Sequence, residues 1–177
     1  MLSLVPQAAT LTDRYDDGEN ALHLTFQLMA PASWQAQPGQ FLMHSLPGMG
    51  EAAFTFASLP DDEGKFTALV RMVGDLTRAL ENFPIGSIVG VRGPLGQPWP
   101  ELAGKTVLVV AGGCGLAPLA AWLHQRINSN QQHKTALLYS ARSEASQVLS
   151  RERESWLQTG LPLLQPVDQP AQEIAQA

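Results

Sequence analysis

The stretch TVLVVAGGCGLAPLAAWLHQRI, residues 106–127, constrains the chain more than any other. Its first seven residues are apolar or small without interruption, the mark of a strand buried on both faces of a parallel sheet. The run ends in Gly112, Gly113 and Gly115, and a helical pattern begins at once with Pro118 in its first turn. Proline is tolerated there because that amide has no intrahelical acceptor. A strand that passes through glycines directly into a helix must return to a parallel neighbour. The sequence supplies one: TALLYSA (135–141) reads as a second strand, SEASQVLSRERESWLQ (143–158) as an amphipathic helix and LPLLQPV (161–167) as a third strand. The β-α-β-α-β order is half of a doubly wound domain. Gly113-Cys114-Gly115 begins a dinucleotide fingerprint, with Pro118 where the third glycine of the ordinary form belongs. The turn keeps the geometry that suits a pyrophosphate, since helix amides face the gap left by small side chains.

Upstream the pattern differs. ALHLTFQLM (21–29), QFLMHSL (40–46), AAFTFASL (52–59), KFTALVRMV (65–73) and SIVGVRG (87–93) read as short strands, and DDEG (61–64) as a hairpin turn. Strands at that spacing predict a barrel or sandwich. LTRALENF (76–83) interrupts them with helical spacing and stops before Pro84. GPLGQPWPELAGK (93–105), rich in glycine and proline, reads as a linker between two units, 1–100 and 101–167, with a polar tail at 168–177.

Several function classes drop out. Sixteen acidic residues against 11 basic ones, with no basic stripe, argue against nucleic-acid binding. No apolar run suits a membrane span and the N-terminus does not read as a signal peptide, so the cytoplasm is the expected compartment. Cys114 is the one cysteine, which precludes an intrachain disulfide or a four-cysteine iron–sulfur cluster; it reads as a packing residue. His23, His44, His124 and His133 show no metal-ligand spacing, so no metal is expected, and His124 and His133 read as solvated. Hydrolase motifs are missing.

Five stretches, PGQF (38–41), GEAAFTFAS (50–58), VRMVGDLTRAL (70–80), VGVRGPLGQPWP (89–100) and GGCGLAP (112–118), together and in this order resemble the ferredoxin–NADP reductase superfamily. Within it the chain is similar to the flavin-binding electron-transfer subunits: the gamma subunits of cytoplasmic NiFe (sulf)hydrogenases, the B subunit of anaerobic sulfite reductase and the electron-transfer subunit of dihydroorotate dehydrogenase. The resemblance implies a six-stranded Greek-key β-barrel that binds FAD, followed by a truncated α/β nucleotide-binding-like domain. It also implies NAD(P)H as a possible second cofactor. Nothing after Val167 resembles the later Gly/Cys-Gly-Pro element or the 2Fe–2S loop of those relatives, so no iron–sulfur cluster is expected in this chain. An iron–sulfur, hydrogenase or reductase partner subunit would complete the circuit. A stand-alone NAD(P)H reductase and a non-catalytic structural subunit are the alternative readings.

By the same resemblance, Ala52, Ala53, Phe54 and Thr55 face the flavin; the superfamily's arginine is absent at Ala52, and the stretch follows the hydrogenase-type Gly-Glu-Ala-Pro-Phe-Ser. Thr55 is the candidate catalytic residue, because a hydroxyl beside flavin N5 can donate or accept a hydrogen bond as the ring changes redox state. Phe54 would offer an apolar wall. Leu69, Val70 and Arg71 line one side of the diphosphate site, with Leu76 and Thr77 on the other. Arg71 can pair with two phosphate oxygens, Gly74 permits close backbone approach, and Thr77 opens the short helix. A surface arginine and a plain helix cap are the competing readings of Arg71 and Thr77. Gly113, Gly115 and Pro118 form the dinucleotide turn. Arg142, flanked by Ser140 and Ser143 after the second strand, suits either a 2′-phosphate or a solvated loop.

Overall fold

A computed structural model describes residues 5–30 and 34–167. Six antiparallel strands form the first unit: β1 (Gln7–Asp16), β2 (Ala21–Leu28), β3 (Phe41–Leu46), β4 (Gly50–Thr55), β5 (Lys65–Arg71) and β6 (Ile88–Leu95), with helix α1 (Asp75–Asn82) between the last two. Their order is β4-β3-β6-β1-β2-β5, so the β2–β3 and β5–β6 connections each skip two strands, as in a Greek key. The sheet is barrel-like without full closure: its edge strands meet only beyond β4, through a bridge between Ser58 and Thr67. The interior holds Leu11, Leu24, Phe26, Leu42, Phe54, Phe56, Phe66, Leu80 and Val91.

β1 was not anticipated. It is a central strand, paired with β2 on one side and β6 on the other. Only Ala9 and Leu11 of its ten residues are buried, so its alternation is faint. A bulge between Leu11 and Asp13 shifts the register, and the Thr12 hydroxyl donates to the Thr25 carbonyl at 3.2 Å there.

The second unit is a parallel sheet, β7 (Val107–Gly112), β8 (Thr135–Ser140) and β9 (Leu163–Leu164), with α2 (Ala117–Asn128) and α3 (Ser150–Gln158) as crossovers. Both crossovers advance the sheet in one direction, and right-handed connection then puts both helices on one face. Val109, Ala111, Leu137 and Tyr139 are buried with Ala120, Leu123 and Trp156 in the same core, while Leu108 and Val110 of β7 and Leu164 of β9 are exposed. β7 is thus buried on one face and not on both as its unbroken apolar run predicts, because both crossover helices cover the same side of the sheet. That core also takes Ala21, Ala57 and Leu69 from the barrel, which seals the two units together. No helix among the described residues is long and apolar enough to cross a membrane.

Three local expectations are corrected. The helix predicted over 143–158 begins only at Ser150, after Leu149 in the left-handed region at φ 55°. The 93–105 stretch is anchored: the Trp99 amide donates to the Pro38 carbonyl at 2.8 Å and its indole to the Pro118 carbonyl at 2.9 Å. His124 is half-buried rather than solvated, edge-on to Trp156, and burial holds its imidazole below the ordinary value.

Candidate functional site

The β1–β2 turn of the barrel fits against the α/β unit and frames a cleft. Gly18 makes the fit possible: it has φ +89°, and a Cβ there would stand 2.5 Å from the Gln147 carbonyl oxygen. Next to it, Asp17 is 2 % exposed. Its carboxylate accepts hydrogen bonds from the Leu149 amide at 2.9 Å and from the Ser150 amide and hydroxyl at 3.3 and 3.4 Å. This capture starts α3 and explains why residues 143–149 are not helical. On the other side lies His23, with Nδ1 3.3 Å from Asp17 and Nε2 3.6 Å from Glu152. The carboxylates face opposite ring nitrogens, the arrangement of an imidazole bridging two acids rather than of three ligands around one ion. Burial alone would raise the Asp17 pKa; the bonds from His23, Ser150 and Leu149 outweigh it and hold the carboxyl below its ordinary value. Asp17→Ala leaves buried amides without acceptors and should cost about 2–4 kcal/mol, read as a lower midpoint in denaturant. An unchanged midpoint would show that the turn does not hold the units together.

The cleft encloses about 780 Å³. One wall is the end of β5 and the loop after it, Arg71, Met72 and Val73, with Arg78 from α1; the other is Gly112 to Gly115 and the end of β8, Ser140 to Arg142. Glu19, Asn20 and Ser146 close it on the side of the β1–β2 turn, where Ser146 donates to Glu19 Oε2 at 3.0 Å. Gly113 has φ +49°, and a Cβ there would lie 3.9 Å from Arg71 Nη2. The barrel's phosphate-site candidate and the glycine turn, 42 positions apart in sequence, thus face each other across one space.

Of the residues expected at a site, Arg71, Gly113 and Gly115 line this cleft. Gly74 follows Val73 with open space where a side chain would be. Thr77 Oγ1 accepts from the Val73 and Gly74 amides at 3.1 and 3.0 Å and donates to the Gly74 carbonyl at 2.9 Å. Its hydroxyl thereby shapes the loop, and the first-turn amides of α1 carry the capacity for an anion. Val70 and Leu76 point into the barrel core, and Leu69 into the seal between units. On β4, Ala53 is exposed and Ala52 and Thr55 are half-buried. Phe54 is 7 % exposed, its ring 4.8 Å from that of His44, so in this structure it is core and not a wall of the cleft. Pro118 sits in the first turn of α2. Cys114 packs on the second core and borders the cleft. Sequence reasoning did not single out Arg78, Glu19, Asn20, Met72 or Ser146; of these Met72, one residue after Arg71, and Arg78, one after Thr77, had a nearby signal in the 70–80 stretch.

The chain belongs to the family of oxidoreductase FAD-binding domains, which it matches over residues 8–99, and residues 109–173 match the oxidoreductase NAD-binding domain. It is 33% identical over 138 residues to the probable dihydroorotate dehydrogenase B (NAD(+)), electron transfer subunit, of Methanopyrus kandleri, covering 78% of this chain and 50% of that one. It is 33% identical over 109 residues to the sulfhydrogenase 2 subunit gamma of Pyrococcus furiosus, covering 60% of this chain and 38% of that one. The chain thus spans half or less of these relatives. Among solved structures, the flavohem-like FAD/NAD-binding domain of Vibrio cholerae nitric oxide dioxygenase superposes with TM-score 0.80 at 17% identity, covering 96% of this chain and 78% of that one. An Amycolatopsis cytochrome P450 reductase gives 0.81 at 21% identity, covering 97% and 55%. These two likenesses are of fold.

Proposed function

We propose that this member of the FAD-binding family is the electron-transfer component of a multi-subunit oxidoreductase, holding FAD on its barrel and receiving a nicotinamide dinucleotide in the cleft. The observation that carries the reading is the approach of Arg71 to the Gly113 turn across that cleft. The residues present fit the phosphate end of FAD: a guanidinium at the end of β5, the unobstructed Gly74 and the first-turn amides of α1. Ala52, Ala53 and Thr55 on the edge strand, with Phe54 as backbone, extend that surface toward the ring, and Thr55 Oγ1 is the group assigned to flavin N5. Leu69, Val70, Leu76 and Thr77 hold the loop and strand in place from within. Gly113, Gly115 and Pro118 belong to the dinucleotide. Bound flavin supplies conversion between two-electron and one-electron transfer, which suits a component standing between a nicotinamide donor and a one-electron acceptor. The relatives are named as subunits of larger enzymes; a partner subunit carrying an iron–sulfur centre is the corresponding acceptor here.

The test is direct. The full chain, purified and given FAD, should show a flavin visible spectrum that persists through desalting and is released by acid as FAD. A colourless protein that takes up no added FAD would overturn the reading.

A further inference from the structure

Residues 97–100 run Gln-Pro-Trp-Pro. Pro98 and Pro100 have fixed φ and no amide proton, and a residue before proline is confined to extended backbone, so Gln97 and Trp99 have little freedom of their own. Trp99 supplies the one backbone N–H among residues 98–100, and its indole supplies a second donor. The two donors go to different units. The amide donates to the Pro38 carbonyl of the barrel at 2.8 Å, and the indole to the Pro118 carbonyl in the first turn of α2 at 2.9 Å.

Both ends of this strap adjoin the candidate site. On the barrel side, Pro38 and Gly39 lead into Phe41, which pairs in register with Thr55 of β4 and with Leu95 of β6. Gly39 has φ +95°, and a Cβ there would stand 2.6 Å from the Trp99 amide nitrogen and 2.8 Å from its ring at Cγ, so the indole is seated directly on the glycine. Gln40 ties the same two loops: its side-chain oxygen accepts from the Gln37 amide at 2.9 Å, and its side-chain nitrogen donates to the Gly96 carbonyl at 3.1 Å. On the α/β side, Pro118 follows the Gly113–Gly115 turn within three residues. Asp17 holds the barrel to the start of α3, and Trp99 holds it to the start of α2.

The indole bond adds direction more than stability. A carbonyl in the first turn of a helix already accepts from the amide four residues on, and Trp99 is 43 % exposed. Removing its indole N–H therefore leaves no buried group unpaired. Resting on the assignment of FAD to the barrel and of a nicotinamide dinucleotide to the cleft, we infer that Trp99 is a positioning residue: by fastening the first turn of α2 to the loop that enters β3, it sets the distance between the Thr55 strand and the dinucleotide turn. The transfer this distance governs is that of a hydride from dihydronicotinamide C4 to flavin N5. A C–H bond breaks, an N–H bond forms, and two electrons pass from the nicotinamide, which is oxidised, to the flavin, which is reduced. Reacting atoms must come within about 3–3.5 Å, and a misplacement of about 1 Å that originates far from the chemistry can cost about 100-fold in rate.

The experiment compares the full native chain with Trp99→Phe, which keeps a ring on Gly39 and deletes the donor, and with Gly39→Ala, which keeps the donor and pushes the indole aside. In the unliganded proteins, amide hydrogen exchange over residues 114–119 should be about 3- to 10-fold faster in both variants and unchanged in β2 and β5. The FAD-loaded proteins are then mixed anaerobically with NADH or NADPH in a stopped-flow instrument. Trp99→Phe should lower the limiting rate of flavin bleaching about tenfold, with the dinucleotide dissociation constant within about threefold of native and FAD retention unchanged. A native limiting rate in Trp99→Phe, or a slower one with native exchange at the turn, overturns the inference. So does a variant that sheds FAD or unfolds more easily while its FAD-loaded fraction is still bleached at the native rate, since that is a structural tie alone. Should Gly39→Ala not fold, Trp99→Phe decides. If neither nucleotide bleaches the native, FAD-loaded protein, the cleft assignment has failed and the inference falls with it.

Discussion

Acidification from pH 7 to pH 4 should remove about 3 kcal/mol of stability through His44 alone. His44 is 1 % exposed, its ring lies 4.4 Å from that of Phe26 and 4.8 Å from that of Phe54, and neither ring nitrogen has a hydrogen-bond partner among the described residues. Burial in this aromatic interior pushes its pKa down from 6.5 to about 3. The folded protein therefore holds His44 neutral while the unfolded chain protonates it near its ordinary value. The unfolded state binds the extra proton between those limits, so stability is complete above pH 6.5 and declines as pH falls toward 3. The loss is about 2 kcal/mol at pH 5, a large share of the margin by which a domain is folded. Asp17 titrates in a different window: its lowered pKa contributes stability that is lost only below the ordinary carboxylate range, near pH 4. Denaturant melts at a series of pH values separate the two. In His44→Leu the decline between pH 6.5 and 4 should flatten, and stability at pH 7 should rise by about 1–3 kcal/mol as two unsatisfied nitrogens leave the core. A His44→Leu protein with the native pH profile would refute the assignment.

The fold was legible where one face of an element is apolar on its own account. β7, α2 and β8 follow directly from VLVVAG, PLAAWL and TALLYS, because each carries its buried residues in the sequence pattern itself. β1 escaped because a central strand can be held by neighbours on both sides with two buried apolar residues, leaving Asp13, Arg14 and Asp16 to mask the period. The start of α3 escaped for another reason: the acceptor that captures Leu149 is Asp17, 132 residues earlier, and no local signal reports such a cap. The candidate site divides in the same way. Arg71 was named through the resemblance carried by VRMVGDLTRAL and the glycine turn from its own strand-to-helix pattern, and the structure sets both on one cleft. The phase of β4, which turns Phe54 inward and Ala53 outward, is set by the His44 ring that Phe54 meets in the barrel core and cannot be read from four residues. The convergence of Arg78 and Arg142 on Arg71 is a property of how the two units dock, which Gly18 and Asp17 decide.

Replacing Arg71 should be the most damaging single change to cofactor binding. Its guanidinium is exposed, bonded to no described residue and directed at the Gly113 turn, so in the absence of ligand it adds little to stability. Its value lies in charge-assisted pairing with phosphate, and loss of one such pair costs about 1.5–3 kcal/mol. Arg71→Ala is thus expected to raise the FAD dissociation constant about 10- to 100-fold, and Arg71→Glu, which adds repulsion, to yield protein that loses its flavin on desalting. Arg71→Lys should fall between native and alanine, since an ammonium keeps the charge without the paired donors. The unliganded midpoint in denaturant should stay within about 0.5 kcal/mol of native in all three. Arg92→Gln serves as the control: that guanidinium is already bonded to Glu51 at 2.8 Å, and FAD affinity should not change. Flavin fluorescence titrations measure all four variants. Native FAD affinity in Arg71→Ala would move the phosphate site away from the end of β5 and leave the α1 amides to hold it alone.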